Sequence, residues 1–418
     1  MIDITVHRGA HQIGGCITAI STKNCKVIID LGSNLPGSAS ADFSAAEIVD
    51  ITKNADAIFY THYHGDHVGL FKYVPSSIPQ FIGKGAQEVM VCKYETLKET
   101  DCKETAQRLR TYEPSRCMDV AGKGHIFITP YFVSHSAFDA YMFKIECEGQ
   151  VILHTGDFRR HGYLGKGLFP VLKKLVGRVD VLITEGTMLG RMQEKVLSEN
   201  DIKINVSRLL KQHKYVFALC SSTDMDRLAS FHAACKEAHR TFVVDEYQAN
   251  VLNIFSKYAG HKADLFNFNK VFRLINYKTE KVKKYLSQTG FFMPIRASQL
   301  KLLKAIMAEY PDEPAWLIYS MWKGYAEENK PYTNHQIQAI RNYFEDRIMD
   351  GTKDGFHTSG HADVNTIKDV CEIVSPRLGI IPIHKEENTY LESILGLETY
   401  PIFHEGETHL DQINISVQ

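Results

Sequence analysis

Surplus charge is the first thing this chain lacks: 48 Lys and Arg stand against 49 Asp and Glu, a net charge of −1. That balance excludes the indiscriminate electrostatic binding of nucleic acid shown by strongly basic chains, so any hold on a phosphate backbone has to be local. No window approaches the roughly 18 uninterrupted apolar residues of a membrane span, and no membrane partner is expected. No charged-then-apolar leader precedes the first strand-like run, Ile2-Asp-Ile-Thr-Val-His7, so secretion is not expected. The nine cysteines (16, 25, 92, 102, 117, 147, 220, 235 and 371) form no C-x-x-C pair. Their odd number and scatter fit reduced thiols in a cytoplasm better than a disulfide framework and argue against a cysteine zinc site. No internal repeat or low-complexity linker breaks the chain.

What is present is enough for two domains with their own cores: 418 residues, 44% of them hydrophobic. The densest chemistry lies in Tyr60-Thr-His-Tyr-His-Gly-Asp-His-Val-Gly69, where His62, His64, Asp66 and His67 fall within six residues. Three imidazoles and a carboxylate at that spacing are donors for a divalent cation. Ala57-Ile-Phe-Tyr60 reads as a buried strand, and a helical pattern is expected from Val68 onward. The donors therefore sit on a strand-to-helix loop, where a rigid scaffold presents side chains to a cleft.

The H-x-H-x-D-H pattern resembles the metallo-β-lactamase superfamily of binuclear metal hydrolases. Two metal sites need more than four donors, ideally with one bridging carboxylate. His135, in Tyr131-Phe-Val-Ser-His-Ser136, and Asp157, closing Val151-Ile-Leu-His-Thr-Gly-Asp157, match the superfamily's next ligand positions in order and context. His384, closing Leu378-Gly-Ile-Ile-Pro-Ile-His384, matches the last. The resemblance implies two divalent ions, zinc first and manganese as the alternative. One would be held by His62, His64 and His135, the other by Asp66, His67 and His384, with Asp157 bridging.

Asp157 and His384 stand 227 residues apart, enough for a domain-sized insertion of roughly 150 residues. Two further motifs bracket it: Val181-Leu-Ile-Thr-Glu-Gly-Thr187 with Glu185 at a strand end, and Phe356-His-Thr-Ser-Gly-His-Ala362 with His361 after a Ser-Gly turn. Strand-end acid, insertion, Ser-Gly-His-Ala and a final Ile-Pro-Ile-His together resemble the β-CASP nucleases, and among them ribonuclease J and the RNA 3′-processing endonucleases. DNA-repair members usually carry another residue at the position of His384, which turns the resemblance towards RNA. The sequence ends within about a dozen residues of Phe403-His-Glu-Gly406, so no counterpart of the C-terminal domain of ribonuclease J is expected. That leaves the oligomeric state open, a homodimer included.

The fold implied is α/β: an αββα metallo-β-lactamase sandwich with an inserted α/β (β-CASP) domain. The expected boundaries are 1–195 for the first part of the sandwich, 196–349 for the insertion and 350–418 for the return. Short β-rich runs such as Cys16-Ile-Thr-Ala-Ile20, Lys26-Val-Ile-Ile-Asp30 and His125-Ile-Phe-Ile-Thr129 suit the first. In the second, Ser198 caps a helix to about His213, Tyr215–Cys220 is a buried strand, Met225–Ala238 a helix, and Thr241–Asp245 and Glu313–Ser320 further strands. Strand, helix, strand at this spacing predicts a parallel sheet.

Asp66, Glu185 and His361 are the expected catalytic residues. His361, a non-ligand imidazole with a pKa near working pH, is the candidate proton donor to the leaving alkoxide. Glu185 would orient it and favour its protonated form. The alternatives stay open: Glu185 as a carboxylate that only orients ligands, His361 as a seventh ligand or a structural histidine. Substrate contacts are expected from Ser359 and Gly360, whose N–H groups could cradle a phosphate, from Ser221 and Ser320 at strand ends, and from Arg159, which follows Asp157 closely. A phosphate pocket built from these would anchor a 5′ end and favour exonucleolysis. The lysine clusters around 173–178 and 278–284 read as solvated faces. His154, His161 and His357 read as substrate contacts or surface histidines, and Asp30 as a support for the metal loop.

The leading function is a metal-dependent ribonuclease cleaving single-stranded RNA with a hydroxide activated by two metals. The alternative is a hydrolase of DNA, a nucleotide second messenger or a non-nucleic ester on the same centre. A non-catalytic scaffold is disfavoured by the intact ligand set.

Overall fold

The computed structural model describes residues 1–38, 40–404, 406–410 (backbone path only) and 413–418; Glu405 of the closing Phe403-His-Glu-Gly406 run lies outside them. The chain forms two compact units, one from Met1–Glu194 with Gly360–Gln418 and one from Lys195–Ser359.

The first unit is built on two sheets. One runs, in spatial order, Gly406–Leu410, Ile413–Val417, Ile2–Arg8, Ile17–Ser21, Lys26–Ile29, Ala57–Phe59, Gln80–Gly83, Arg110–Tyr112. The other runs Gly379–Ile383, Val181–Glu185, Gln150–His154, Ala140–Cys147, Ile126–Val133, Met118–Asp119. Period-2 alternation decides what lies between them. Ile2, Ile4, Val6, Val27, Ile29 and Phe59 of the first sheet share one core with Ile126, Ile128, Phe143, Ile145, Ile152 and Ile183 of the second. Val181 and Ile183 enter that core, while Leu182 enters another against the helix Val364–Val374. A strand buried on both faces reads as the continuous apolar run seen there. The helix Lys84–Leu97 packs on Gln80–Gly83 and Arg110–Tyr112. The result is an α/β metallo-β-lactamase sandwich.

The second unit is a six-stranded sheet in the order Phe272–Arg273, Thr241–Val244, Phe291–Ile295, Tyr215–Cys220, Trp316–Ser320, Ile348–Asp350. Every pairing in it is parallel. Its first helix, Glu199–Gln212, opens with a capping box: Ser198 Oγ accepts from Asp201 N and the Asp201 carboxylate accepts from Ser198 N.

Two details differ from the sequence reading. The helix expected from Val68 is a single turn, Gly65–Val68, followed by a 3-10 turn at Phe71–Tyr73. Gly69 ends it: a Cβ there would lie 2.3 Å from Ser33 Oγ and 2.5 Å from Gly65 O, so the chain is pressed against the Ser33 loop and turns away. Residues 350–359 cluster with the second unit instead of the first. Gly355 O accepts from Asn205 Nδ2 (2.8 Å) and Thr358 O from Arg227 (3.1 Å), which ties the segment to two helices of that unit.

Candidate metal centre

The donors of the first unit converge where strands end. His62 and His64 leave the Ala57–Phe59 strand, and Asp66 and His67 occupy the one-turn helix after it. His135 follows Ile126–Val133, Asp157 follows Gln150–His154, and His384 follows Gly379–Ile383. Asp30 and His384 take φ of +62° and +51°, unusual for residues with a Cβ; in both the strand ends in a sharp turn that re-aims the side chain.

Four of the imidazoles are aimed by the hydrogen bond on their other nitrogen. His67 Nδ1–H donates to Asp30 Oδ2 (2.8 Å) and His135 Nδ1–H to Gly360 O (2.7 Å). His62 Nδ1 bonds Thr61 Oγ1 (3.0 Å), and His384 Nδ1 bonds Thr187 Oγ1 (2.7 Å). These four turn Nε2 inward; His64 presents Nδ1, 3.2 Å from His135 Nε2. Second-sphere partners of this kind fix the tautomer and leave the facing lone pair for a cation. Ligand atoms of His62, His64 and His135 lie within 4.8 Å of one another, as do those of His62, His67 and Asp157, and those of Asp157, Glu185, His361 and His384. Asp157 Oδ2 is 3.1 Å from His67 Nε2, 3.8 Å from His135 Nε2 and 3.5 Å from His384 Nε2, between the two groups of imidazoles. Asp66 Oδ2 lies 3.1 Å from His384 Nε2.

The residues fit divalent metal. His62 Nε2 is wholly buried yet makes no hydrogen bond, an orphan that an ion would satisfy. Burial holds His62 and His135 well below the ordinary imidazole pKa and His64 down to about 4, so all three are neutral lone-pair donors. Burial alone would raise Asp157 and Asp66. The charges of His384 and His67 outweigh it for Asp157, and the His384 hydrogen bond with the His67 charge does so for Asp66; both stay ionised. His67 is raised, since Asp157 and Asp30 outweigh its burial.

Glu185 and His361 form a second constellation beside Asp157. Glu185 is fully buried; its Oε1 accepts from Phe158 N (2.9 Å) and its Oε2 from His361 Nδ1 (2.9 Å). Burial by itself would lower the His361 pKa, but the charges of Glu185 and Asp157 raise it. Thr187 Oγ1 touches both His361 Nδ1 (3.1 Å) and His384 Nδ1. Thr187 and Thr61 escaped the sequence reading, and the only signal for either is adjacency to a motif residue. Asp30 accepts from Thr61 N (2.7 Å), Thr61 Oγ1 (2.8 Å) and His67 Nδ1, and so anchors the whole loop.

The expected substrate residues are divided between the two units. Ser221, Ser320 and Ser359 belong to the second unit. Ser320 is 3% exposed, donates to Phe356 O (2.6 Å) and accepts from Arg227. Ser221 Oγ accepts from Thr223 N (3.3 Å). Gly360 serves through its carbonyl, on His135, and a Cβ there would meet Ser136 Oγ at 2.3 Å. Arg159 is 1% exposed, whereas the neighbouring Arg160 is exposed and lies over the Phe169 ring. His154, expected near the surface or substrate, is 1% exposed and accepts from Gly156 N, a turn cap.

Comparison with known proteins follows the same lines. The metallo-beta-lactamase superfamily profile matches residues 16–83. Ribonuclease J of Helicobacter pylori strain J99 is 21% identical over 423 residues, covering 93% of this chain and 56% of that protein. Cleavage and polyadenylation specificity factor 73 of Drosophila melanogaster is 27% identical over 206 residues, 44% of this chain and 28% of that protein. The chain thus spans about half the length of the ribonuclease J it matches. A protein of unknown function from Enterococcus faecalis V583 shares the fold, with a TM-score of 0.70 at 16% identity over 96% of this chain and 97% of that one. A matching profile over the first donor loop and a ribonuclease J likeness along nearly the whole chain make this chain similar to the metallo-β-lactamase superfamily and, within it, to the β-CASP nucleases of the ribonuclease J kind.

Proposed function

We propose that this protein is a metal-dependent phosphodiester hydrolase that cleaves single-stranded RNA, with Lys195–Ser359 as its β-CASP unit. The observation that carries the reading is the pairing of a seven-donor cluster with a separate, carboxylate-held imidazole. His62, His64 and His135 would hold one divalent ion and Asp66, His67 and His384 the other, with Asp157 between them. Bound there, such ions supply Lewis acidity and lower the pKa of water.

The chain's own residues do the rest. Thr61, Asp30, Gly360 and Thr187 hold the imidazole rings in place, so the donors need no rearrangement before reaction. Glu185 accepts a hydrogen bond from His361 Nδ1–H and favours the charged ring, whose Nε2 proton would go to the departing alkoxide. Free cysteines at all nine positions accord with a cytoplasmic setting. Zinc is the expected ion, with manganese as the alternative.

The test uses metal-loaded protein and end-labelled single-stranded RNA and DNA, each with a 5′-monophosphate or a 5′-hydroxyl. The control is the double variant Asp66→Ala/His67→Ala. Metal-dependent RNA cleavage that the variant loses supports the reading. Mononucleotide release that prefers a 5′-monophosphate adds end-anchored exonucleolysis. Cleavage of DNA alone shifts the substrate class, and inertness towards every polymer with both metals bound overturns the nuclease.

A further inference from the structure

Cys16 has no part in the reaction above, yet it lies among the donors. Its Sγ and the ligand nitrogens of His67 and His384 fall within 4.8 Å of one another, and all three residues are buried. Among the described residues it is the one cysteine in such a group. The backbone pins it on both sides. Cys16 N–H donates to Asp66 O (3.0 Å) and Cys16 O accepts from Gly32 N (3.0 Å), which fixes it against the metal loop. A Cβ on Gly9 would stand 2.9 Å from Cys16 Sγ, so the sulfur rests on bare backbone there. Gly9 O in turn accepts from His384 N (2.6 Å). One peptide stretch therefore ties the thiol to the elements that carry both histidines. A second observation points to a ligand in that space: His67 Nε2 is wholly buried and held facing inward by Asp30 on Nδ1, and although Asp157 Oδ2 lies 3.1 Å away the two are not aligned as a hydrogen bond, the arrangement of two donors aimed at a common ion.

We propose that the ion held by His67 and His384 takes the sulfur of Cys16 as a further donor, which biases this centre towards thiophilic ions, zinc above manganese. The inference rests on the metal reading above and deepens it. The thiol proton leaves to solvent as the ion binds, since a coordinating thiol is deprotonated. A thiolate in an otherwise imidazole and carboxylate set favours softer ions.

Two spectroscopic measurements test it without any assay of activity. X-ray absorption at the zinc edge of the zinc-loaded wild-type protein is expected to show a sulfur scatterer at about 2.3 Å beside nitrogen and oxygen at about 2.0–2.1 Å. The cobalt(II)-loaded protein is expected to show a sulfur-to-metal charge-transfer band in the near ultraviolet. That band should vanish in Cys16→Ser and persist in Cys117→Ser, whose thiol is exposed. The zinc-over-manganese preference should fall in Cys16→Ser alone. Nitrogen and oxygen scatterers only, or a band that survives Cys16→Ser, overturns the sulfur donor and leaves the metal centre standing. A protein that takes up no divalent ion overturns both. The absorption measurement needs no variant, so misfolding of Cys16→Ser does not shield the proposal.

Discussion

Asp30 accepts three hydrogen bonds at once, from the Thr61 amide, the Thr61 hydroxyl and His67 Nδ1, and is fully buried while doing so. An amide in its place keeps the shape but offers one acceptor oxygen, and an NH2 group would then oppose one of those donors. Asp30→Asn should therefore loosen the aim of His67 and weaken zinc binding about 10–100-fold, the usual cost of losing a second-sphere carboxylate; chelator competition measures it, and unchanged affinity refutes the role. His361 calls for a different readout. His361→Ala should lower kcat by roughly 10²–10⁴ with metal content intact, as expected for a lost general acid. Glu185→Gln should fall between, because an amide still bonds Nδ1 but no longer supplies charge. If His361→Ala instead loses metal stoichiometrically, the ring is a ligand. The H-x-H-x-D-H loop was legible because its donors sit at fixed short spacing. Thr61, Thr187 and Cys16 were not, since a hydroxyl or thiol that meets a ring across the fold leaves no periodic trace.

At the scale of elements, strand ends collect polar groups whose work is mechanical. Asp245 follows Thr241–Val244 and caps the helix Glu246–Phe255 through Gln248 N (2.9 Å). Its carboxylate also accepts from Gln299 Nε2 (2.6 Å) and from Arg296, just past the neighbouring strand Phe291–Ile295. Burial alone would raise its pKa, but the Arg296 hydrogen bond and charge depress it. A depressed carboxylate stabilises the fold fully above the unfolded pKa of about 3.9, and that contribution fades as pH falls through the folded value. Asp245→Ala should cost about 1 kcal/mol at pH 7, the usual size of a lost cap. The gap between wild type and variant should narrow below about pH 4, as seen in urea unfolding at a series of pH values. A gap that stays constant down to pH 2 refutes the ionic part. The cap at Ser198 and the strand Tyr215–Cys220 were open to sequence reading because turn chemistry and apolar runs are local signals, whereas Asp245 read only as the end of its strand. The single-turn helix at Gly65–Val68 was not, because what stops it is the Ser33 loop pressing on Gly69.

At the scale of the whole molecule, one unit is interrupted and the other is continuous, and their cores differ accordingly. The core between the two sheets of the first unit needs Ile381, Ile383, Ile413, Ile415 and Val417 from beyond the interruption. Gly379–Ile383 pairs with Val181–Glu185 and Ile413–Val417 with Ile2–Arg8, so the N-terminal segment alone lacks strands on both sheets as well as His384. One core cluster of the second unit draws its buried members from residues 215–344, Ile202, Val206 and Leu210 of the same unit are buried as well, and its six strands pair only with each other. Its buried ion pair, Arg227 with Glu199 at 3.0 Å, is internal too, as is the Arg227 bond to Thr358 O that holds the exit segment. The 227-residue gap between Asp157 and His384 showed an insertion in the sequence, but its far edge lies nearer 359 than 349, because bonds from Asn205 and Arg227 hold 350–359 and no composition change marks them. Residues 195–359 expressed alone should therefore fold, with a cooperative melt and native α/β circular dichroism. Residues 1–194 alone should neither melt cooperatively nor hold metal. Within the isolated second unit, Glu199→Ala should cost about 3–5 kcal/mol, because it leaves the Arg227 charge buried without its partner. An unfolded 195–359 fragment would show that this unit needs the first to stand. A folded, metal-binding 1–194 fragment would show that the return strands are dispensable to the centre.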